Sequence, residues 1–286
     1  MCFSGGTRTR YLTRRAGGAI IRPMKREANP GAGGPILGEA ERRRYARQVM
    51  LPGWGIAAQE QLKKASVLLL GCGGLGSPVA LYLAAAGIGR LGLADPDRVE
   101  TSNLQRQIVH DTASLGEWKT ASAAARVRAL NPYVAVEERY VPVEGKEGEA
   151  WVSTFEVIVD ATDHYGSRLR HNAWAFRLGL PFVTGAVSEL GGQVYGFDPR
   201  HGPPCYECLV PGDPYQGKGT APQGIVGAVA GVVGSAMAMA ALQAILYPAG
   251  QAPLTGRMFY ADLAAFRSGT VALCRRENCP VCGKKP

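Results

Sequence analysis

The chain reads as an α/β protein with a Rossmann-like, doubly wound and mainly parallel sheet, extended toward the C-terminus by mixed or antiparallel strands. Three observations predict this. Short apolar runs at 66–70, 91–94 and 157–160 alternate with helical stretches. The first run stops on the glycine-rich segment Gly71-Cys72-Gly73-Gly74-Leu75-Gly76. Beyond Pro181, strand-like segments follow one another without regular crossover helices.

Ser66-Val67-Leu68-Leu69-Leu70 lacks polar alternation, as a strand covered on both faces requires. Pro78 to Ala86 predicts a helix of small and apolar residues, and Leu91 to Ala94 a second strand ending at Asp95. Lys119 to Leu130 predicts an amphipathic helix, followed by a strand near Val134 to Val141. Val157 to Asp160 is another buried strand, and Arg168 to Leu178 another helix. Phe182–Thr184, Gln193–Phe197, Arg257–Ala261 and Thr270–Leu273 complete the predicted strands. Residues 209–224, with four glycines and three prolines, predict a long mobile loop.

Residues 225–247 carry no charged side chain and are long enough to cross a bilayer. Their glycine and alanine density, with no basic cluster alongside, predicts instead a buried helix packed closely on the sheet. No membrane partner is expected. The formal charge of +9 belongs mostly to residues 1–37, which hold seven Lys/Arg against Glu27 and so leave +3 on the remainder. Nucleic acid is therefore not an expected partner. The basic tail ends in Asn29-Pro30-Gly31-Ala32-Gly33-Gly34-Pro35 and is expected to be disordered, with an organelle-targeting role as the alternative. Residues 38–286 then form one domain, expected in the cytoplasm.

Gly71, Gly73, Gly74 and Gly76 lie between a strand and a helix, and Asp95 follows Gly76 by 19 residues at the end of the next strand. Glycines let the backbone approach phosphate, the helix N-terminus offers N–H groups, and the carboxylate can take ribose hydroxyls. This predicts a nucleotide site without choosing between a dinucleotide and ATP. Further residues bear on that choice: Arg47 before the first strand, the run Ser102-Asn103-Leu104-Gln105-Arg106-Gln107, Lys119 at a helix start and Asp163 after strand 157–160. Taken singly, each is an ordinary surface residue. Together they suit the attack of a carboxylate on the α-phosphorus of ATP, where two anions meet and pyrophosphate leaves. Asp163 would hold magnesium, an ion that takes few protein ligands. An NAD-dependent oxidoreductase would leave Arg47, Arg106 and Lys119 without a role.

Cys205-x-x-Cys208 and Cys279-x-x-Cys282 have the spacing of metal ligands. Seventy residues separate the pairs, so a zinc ion would tie the C-terminus to the middle of the domain; a disulfide or redox pair is the alternative. Four sulfurs leave no open position, so the site is expected to be structural. Cys72 needs only to be small, and Cys274, at the end of a predicted strand, is expected to be core filler or a substitute ligand.

From about Glu41 to Gly283 the sequence resembles the ThiF/MoeB/HesA adenylyltransferases, relatives of the ubiquitin-activating enzymes, and within them the MoeB/ThiF group that activates sulfur carriers. The resemblance rests on Arg44-Tyr45-x-Arg47-Gln48, the glycine loop, Ser102 to Gln107, Thr162-Asp163, Gly185-Ala186, Gly192-Gln193 and the cysteine pairs. It implies that Asp95 binds ribose and that Asn103, Arg106 and Lys119 contact phosphates, with Gln107 beside them. It implies that Asp163 organises magnesium and the reacting carboxylate, and that Arg47 reaches the phosphates of a partner subunit in a homodimer. The implied substrate is the C-terminal glycine of a ubiquitin-fold sulfur carrier ending in Gly-Gly, in molybdopterin, thiamine or related sulfur transfer. A peptide or a tRNA is the alternative substrate. Two features depart from the family. Residues 209–224 contain no cysteine, with Thr220 near the expected place, and His164 follows Asp163 where relatives commonly have Asn. Activation is thus the expected task, with sulfur delivered by a separate sulfurtransferase or cysteine desulfurase.

Overall fold

A computed structural model describes residues 36–212 and 224–283. Residues 1–35 of the predicted tail, 213–223 of the predicted loop and 284–286 lie outside the described residues.

Three short helices precede the sheet: α1 (Glu39–Arg44), α2 (Ala46–Val49) and α3 (Gly55–Lys64). Tyr45, buried between α1 and α2, accepts a hydrogen bond at its hydroxyl from Asn131 Nδ2 at 2.8 Å. The alternating half then runs β1 (Ser66–Leu70), α4 (Gly76–Ala86), β2 (Arg90–Ala94), α5 (Lys119–Leu130), β3 (Ala135–Arg139), α6 (Gly145–Val152), β4 (Val157–Asp160) and α7 (Tyr165–Leu178). Two 3₁₀ turns, Thr101–Asn103 and Thr112–Ser114, lie between β2 and α5. The second half adds β5 (Phe182–Ser188), β6 (Gly191–Phe197), α8 (Tyr206–Leu209), α9 (Gly227–Leu246), β7 (Arg257–Asp262) and β8 (Arg267–Ala272).

The eight strands form one sheet in the order β3-β2-β1-β4-β5-β6-β7-β8. β1 to β5 are parallel to their neighbours, and β6 to β8 join antiparallel. Alternation along β1 shows why both faces must be apolar. Val67 and Leu69 enter one core with α4, α5 and α9, whereas Leu68 and Leu70 enter another with Trp174 of α7 and Phe182.

α9 is the long apolar segment, and it lies on the sheet as a core helix. A Cβ on Gly234 would fall 2.3 Å from Pro78 of α4, and one on Gly185 of β5 would fall 2.6 Å from Met237 Sδ. Its small residues thus set how closely it packs. Among the described residues it is the one helix long and apolar enough to cross a membrane.

Several bounds differ from expectation: α4 begins at Gly76 rather than Pro78, α7 at Tyr165 rather than Arg168, and β5 runs on to Ser188 rather than Thr184. The helices at 39–64 and α6 were not legible, being short and mixed in composition. β3 stops at Arg139 because it is a charged, half-exposed edge strand whose apolar signal is weak. β8 begins at Arg267 rather than Thr270; its mostly exposed residues pair on one side only, so hydrophobicity does not mark its start.

Candidate active site

Strand order reverses between β1 and β4, so a crevice opens beyond their carboxyl ends. The four glycines of the loop there are not equivalent. Gly71 has φ +90°, and a Cβ on it would lie 2.9 Å from the Ala161 carbonyl; a Cβ on Gly76 would lie 2.0 Å from Gly71 O. Only glycine fits at either position. At Gly73 and Gly74 the nearest atoms stand 3.7 and 3.5 Å away, so sterics alone do not demand glycine there. α4 begins without a side-chain cap, but Ser77 N and Val79 N donate to Gly73 O and Leu75 O and Pro78 has no N–H, so in the first turn only the Gly76 N–H is left for an anion among the described residues.

Asp95 closes the loop from the next strand. Its Oδ2 accepts from Cys72 N at 2.7 Å and its Oδ1 from Asp97 N at 2.9 Å. Burial pushes its carboxyl above the ordinary range, against the pull of the Lys119 ammonium. Lys119, itself buried at the start of α5, donates from Nζ to Asp97 Oδ2 at 2.7 Å.

The run from Ser102 to Gln107 folds over the loop. Asn103 Oδ1 accepts from Glu100 N at 3.2 Å, and the Asn103 carbonyl accepts from Arg106 N and Gln107 N. Arg106 Nη1 donates to Ser102 O at 2.9 Å, and its aliphatic stem lies against Gly74. Gln107 is buried beside Gly73, and its Oε1 has no hydrogen-bond partner among the described residues. A buried acceptor left open at a glycine loop is a place for a ligand donor.

On the β4 side, Asp160 is fully buried. Its Oδ1 accepts from Thr162 N at 2.9 Å and Thr162 Oγ1 at 2.6 Å, while its Oδ2 meets His171 Nδ1 at 2.7 Å. Burial pushes this carboxyl up, but His171, Arg168 and Thr162 outweigh it and hold it below the ordinary range. Thr162 and Ala161 abut Gly71, so the two strand ends touch through backbone. Asp163 is exposed next to them and makes no hydrogen bond or ion pair with a described residue. His164 caps α7, its Nδ1 accepting from Ser167 N at 3.2 Å, so the Asn-to-His departure is a helix cap. Arg47, by contrast, stands exposed on α2 and pairs with no described residue.

Asp97 and His110 are missing from the sequence reading. His110 Nε2 lies 3.0 Å from Cys72 O and its Nδ1 2.9 Å from Ser122 Oγ. A carbonyl can only accept, so Nε2 carries the proton and Nδ1 accepts from the hydroxyl. Burial lowers its pKa, with the Cys72 carbonyl opposing. Asp97 could have been found from its place two residues after Asp95; no local pattern marks His110.

Across the molecule, Cys205, Cys208, Cys279 and Cys282 place all four Sγ atoms within 4.8 Å of one another. Cys205 caps the one-turn α8, and Gly283 N donates to Cys279 O at 2.8 Å to close the second turn. Burial raises the Cys279 thiol, but the N–H groups of Cys282 and Val281 outweigh it and draw it down to about 7. A tetrahedral ion with sulfur ligands at about 2.3 Å suits this all-thiol set. Cys274 is exposed beyond β8, which rules out core filler, and it lies outside this cluster. A separate cavity of ≈ 320 Å³ on β5, β6 and β7 is lined by Ser188, Gly192, Gln193 and Tyr260, among others.

Fold and site together define a nucleotide-binding α/β enzyme whose loop is flanked by fixed cations. The ThiF family pattern matches residues 45–281, and the chain belongs to the ThiF family. It is 43% identical over 251 residues to the sulfur carrier protein adenylyltransferase of Thermus thermophilus, covering 85% of this chain and 91% of that one. It is 39% identical to the adenylyltransferase and sulfurtransferase MOCS3 of Mus musculus, covering 93% of this chain but 58% of that protein. Among solved structures, E. coli MccB with ATP shares the fold with a TM-score of 0.70 at 23% identity, over 88% of this chain and 76% of that one. The named relatives are adenylyltransferases, and the chain is a nucleotidyltransferase of that class.

Proposed function

We propose that this chain adenylates the C-terminal glycine of a ubiquitin-fold sulfur carrier ending in Gly-Gly. The observation that supports this most is the placing of Arg106 against Gly74, of Lys119 beside Asp95, and of an Asp163 without a partner among the described residues just beyond the end of β4. A carboxylate oxygen of the carrier attacks the α-phosphorus, the bond to the bridging oxygen breaks, and pyrophosphate leaves with the electron pair. Arg106, Lys119 and the Gly76 N–H at the start of α4 stabilise the charge spread over the phosphates. Asn103 and Gln107 add amide contacts, and Asp95 uses its remaining lone pairs on the ribose. Asp163 holds magnesium, which supplies further neutralisation of phosphate charge when bound. The cysteine cluster holds zinc and takes no part in the chemistry.

The Thermus relative's name specifies a sulfur carrier protein, and the chain spans nearly all of that relative. It spans only a little over half of the relatives whose names add a sulfurtransferase. Residues 209–224 hold no cysteine to trap the carrier, so sulfur comes from a separate sulfurtransferase or cysteine desulfurase. Arg47, exposed and without a partner among the described residues, serves the neighbouring site of a homodimer. We place the reaction in the cytoplasm, where cysteines stay reduced and able to hold a metal, in molybdopterin, thiamine or related sulfur transfer.

ATP–pyrophosphate exchange with candidate Gly-Gly carriers tests the assignment. Exchange should depend on the carrier and fall at least about a hundredfold in Asp163→Ala. Undiminished exchange in that variant would overturn the magnesium role, and nicotinamide binding without exchange would overturn adenylation.

A further inference from the structure

The buried side of α7 carries Arg168, His171 and Asn172, none of which the adenylation chemistry uses. Arg168 spans two regions. One guanidinium nitrogen, Nη2, donates to the carbonyl of Thr162, the residue before Asp163. The other, Nη1, donates to Tyr206 Oη at 3.2 Å. Tyr206 lies between the knuckle cysteines Cys205 and Cys208, and its backbone N–H donates to Asn172 Oδ1 at 3.0 Å. A second connection runs from His171 through Asp160 to Thr162. Tyr195 and Phe197 meet the Tyr206 ring edge-on at 5.9 and 6.5 Å and hold it in place.

Stability is a poor reason for this guanidinium. It is 5% exposed, and its Nε has no partner among the described residues. Well-packed apolar replacements of buried charges are often neutral or stabilising. What a planar guanidinium offers here is a rigid fork that fixes the distance between two acceptors.

We propose that Arg168 is a positioning residue: together with Tyr206 it fastens the Thr162–Asp163 segment to the cysteine knuckle, so that metal bound by the cysteines fixes the place from which Asp163 acts. The part concerning Asp163 rests on the adenylation reading; the mechanical tie does not.

Tyr206→Phe in the full-length, zinc-loaded protein removes one hydroxyl and keeps the ring. Amide hydrogen exchange over residues 162–166 should speed up about tenfold, the scale of one lost charge-assisted hydrogen bond. Zinc content and KM for ATP should be unchanged, while the magnesium concentration for half-maximal pyrophosphate exchange rises several-fold. Arg168→Lys, which keeps the charge and loses the fork, should show the same pattern more strongly. Removing zinc from the unsubstituted protein with a chelator should also quicken exchange at 162–166. Unchanged hydrogen exchange there in Tyr206→Phe overturns the tie. Faster exchange with an unchanged magnesium requirement overturns the positioning role. If no carrier supports pyrophosphate exchange in the unsubstituted protein, adenylation fails, and the hydrogen-exchange comparison still decides the tie.

Discussion

The nucleotide loop and the cysteine knuckle are both tight backbone turns that present groups to a ligand, yet they are specified in opposite ways. Six consecutive residues make the loop, and much of its shape is local, in the φ +90° of Gly71 and the closeness of Gly76 to Gly71 O, with Ala161 of the neighbouring strand end adding the rest. The knuckle needs two pairs of cysteines separated by 70 residues, and nothing local brings them together. Closing so long a loop costs chain entropy that the sheet, and any metal held by the thiols, must offset. A local device can fail without loosening distant segments, whereas the loss of a long-range one lowers the stability of everything it ties together.

The largest effect should come from the knuckle. Cys279→Ser removes one of four ligands, and structural zinc contributes about 10–16 kcal/mol in isolated peptides. Losing a third of that would lower Tm by about 10 °C or more at roughly 2–4 °C per kcal/mol. Calorimetry with zinc analysis checks this; an unchanged Tm in a zinc-free variant would break the contrast.

Gly76→Ala should act on the other region. Its Cβ cannot fit 2.0 Å from Gly71 O, so nucleotide binding should be lost while zinc content stays at one per chain. Isothermal titration with ATP beside metal analysis separates the two, and loss of zinc in this variant would show that the regions are not independent.

Lys119→Met tests chemistry without disturbing the loop's backbone. Catalytic efficiency in adenylation should fall about 10²–10³-fold, the usual scale for one lost charge-stabilising donor. Steady-state kinetics with a thermal melt checks this; a fall in Tm larger than the fall in rate would return Lys119 to a structural role with Asp97.

His110→Gln gives the smallest and most local effect. The folded-state pKa of His110 is depressed below its ordinary 6.5 by burial. Between the two values the unfolded chain binds more protons, so this part of the stability is complete above pH 6.5 and is lost as the pH falls. Gln can still donate to Cys72 O and accept from Ser122, and it does not titrate. Urea midpoints at pH 5.5 and 7.5 should therefore differ less in the variant, and an equal difference would exclude His110 as the source.

Much of the site was legible because its parts follow buried strands. Asp95 and Asp163 stand just beyond strand ends, and the parallel sheet brings those ends together. Arg106 and Gln107 reach Gly74 and Gly73 as their position after β2 suggests. His110 and Arg168 were not legible, because each acts through partners distant in sequence and neither sits in a short motif. Cys274 misled because an apolar neighbour, Leu273, made an exposed segment look like the end of a core strand.

By itself the sequence determined the α/β class, the glycine loop and the metal-ligand spacing within each cysteine pair, since each depends on periodicity, backbone sterics or spacing within a few residues. Tertiary structure alone decided the order in which β6 to β8 extend the sheet, that His110 props the loop carbonyl, and that Arg168 of α7 bridges the knuckle's Tyr206 and Thr162. Those outcomes depend on which distant side chains share a buried space, and there an unpaired polar group is costly enough to dictate its neighbours.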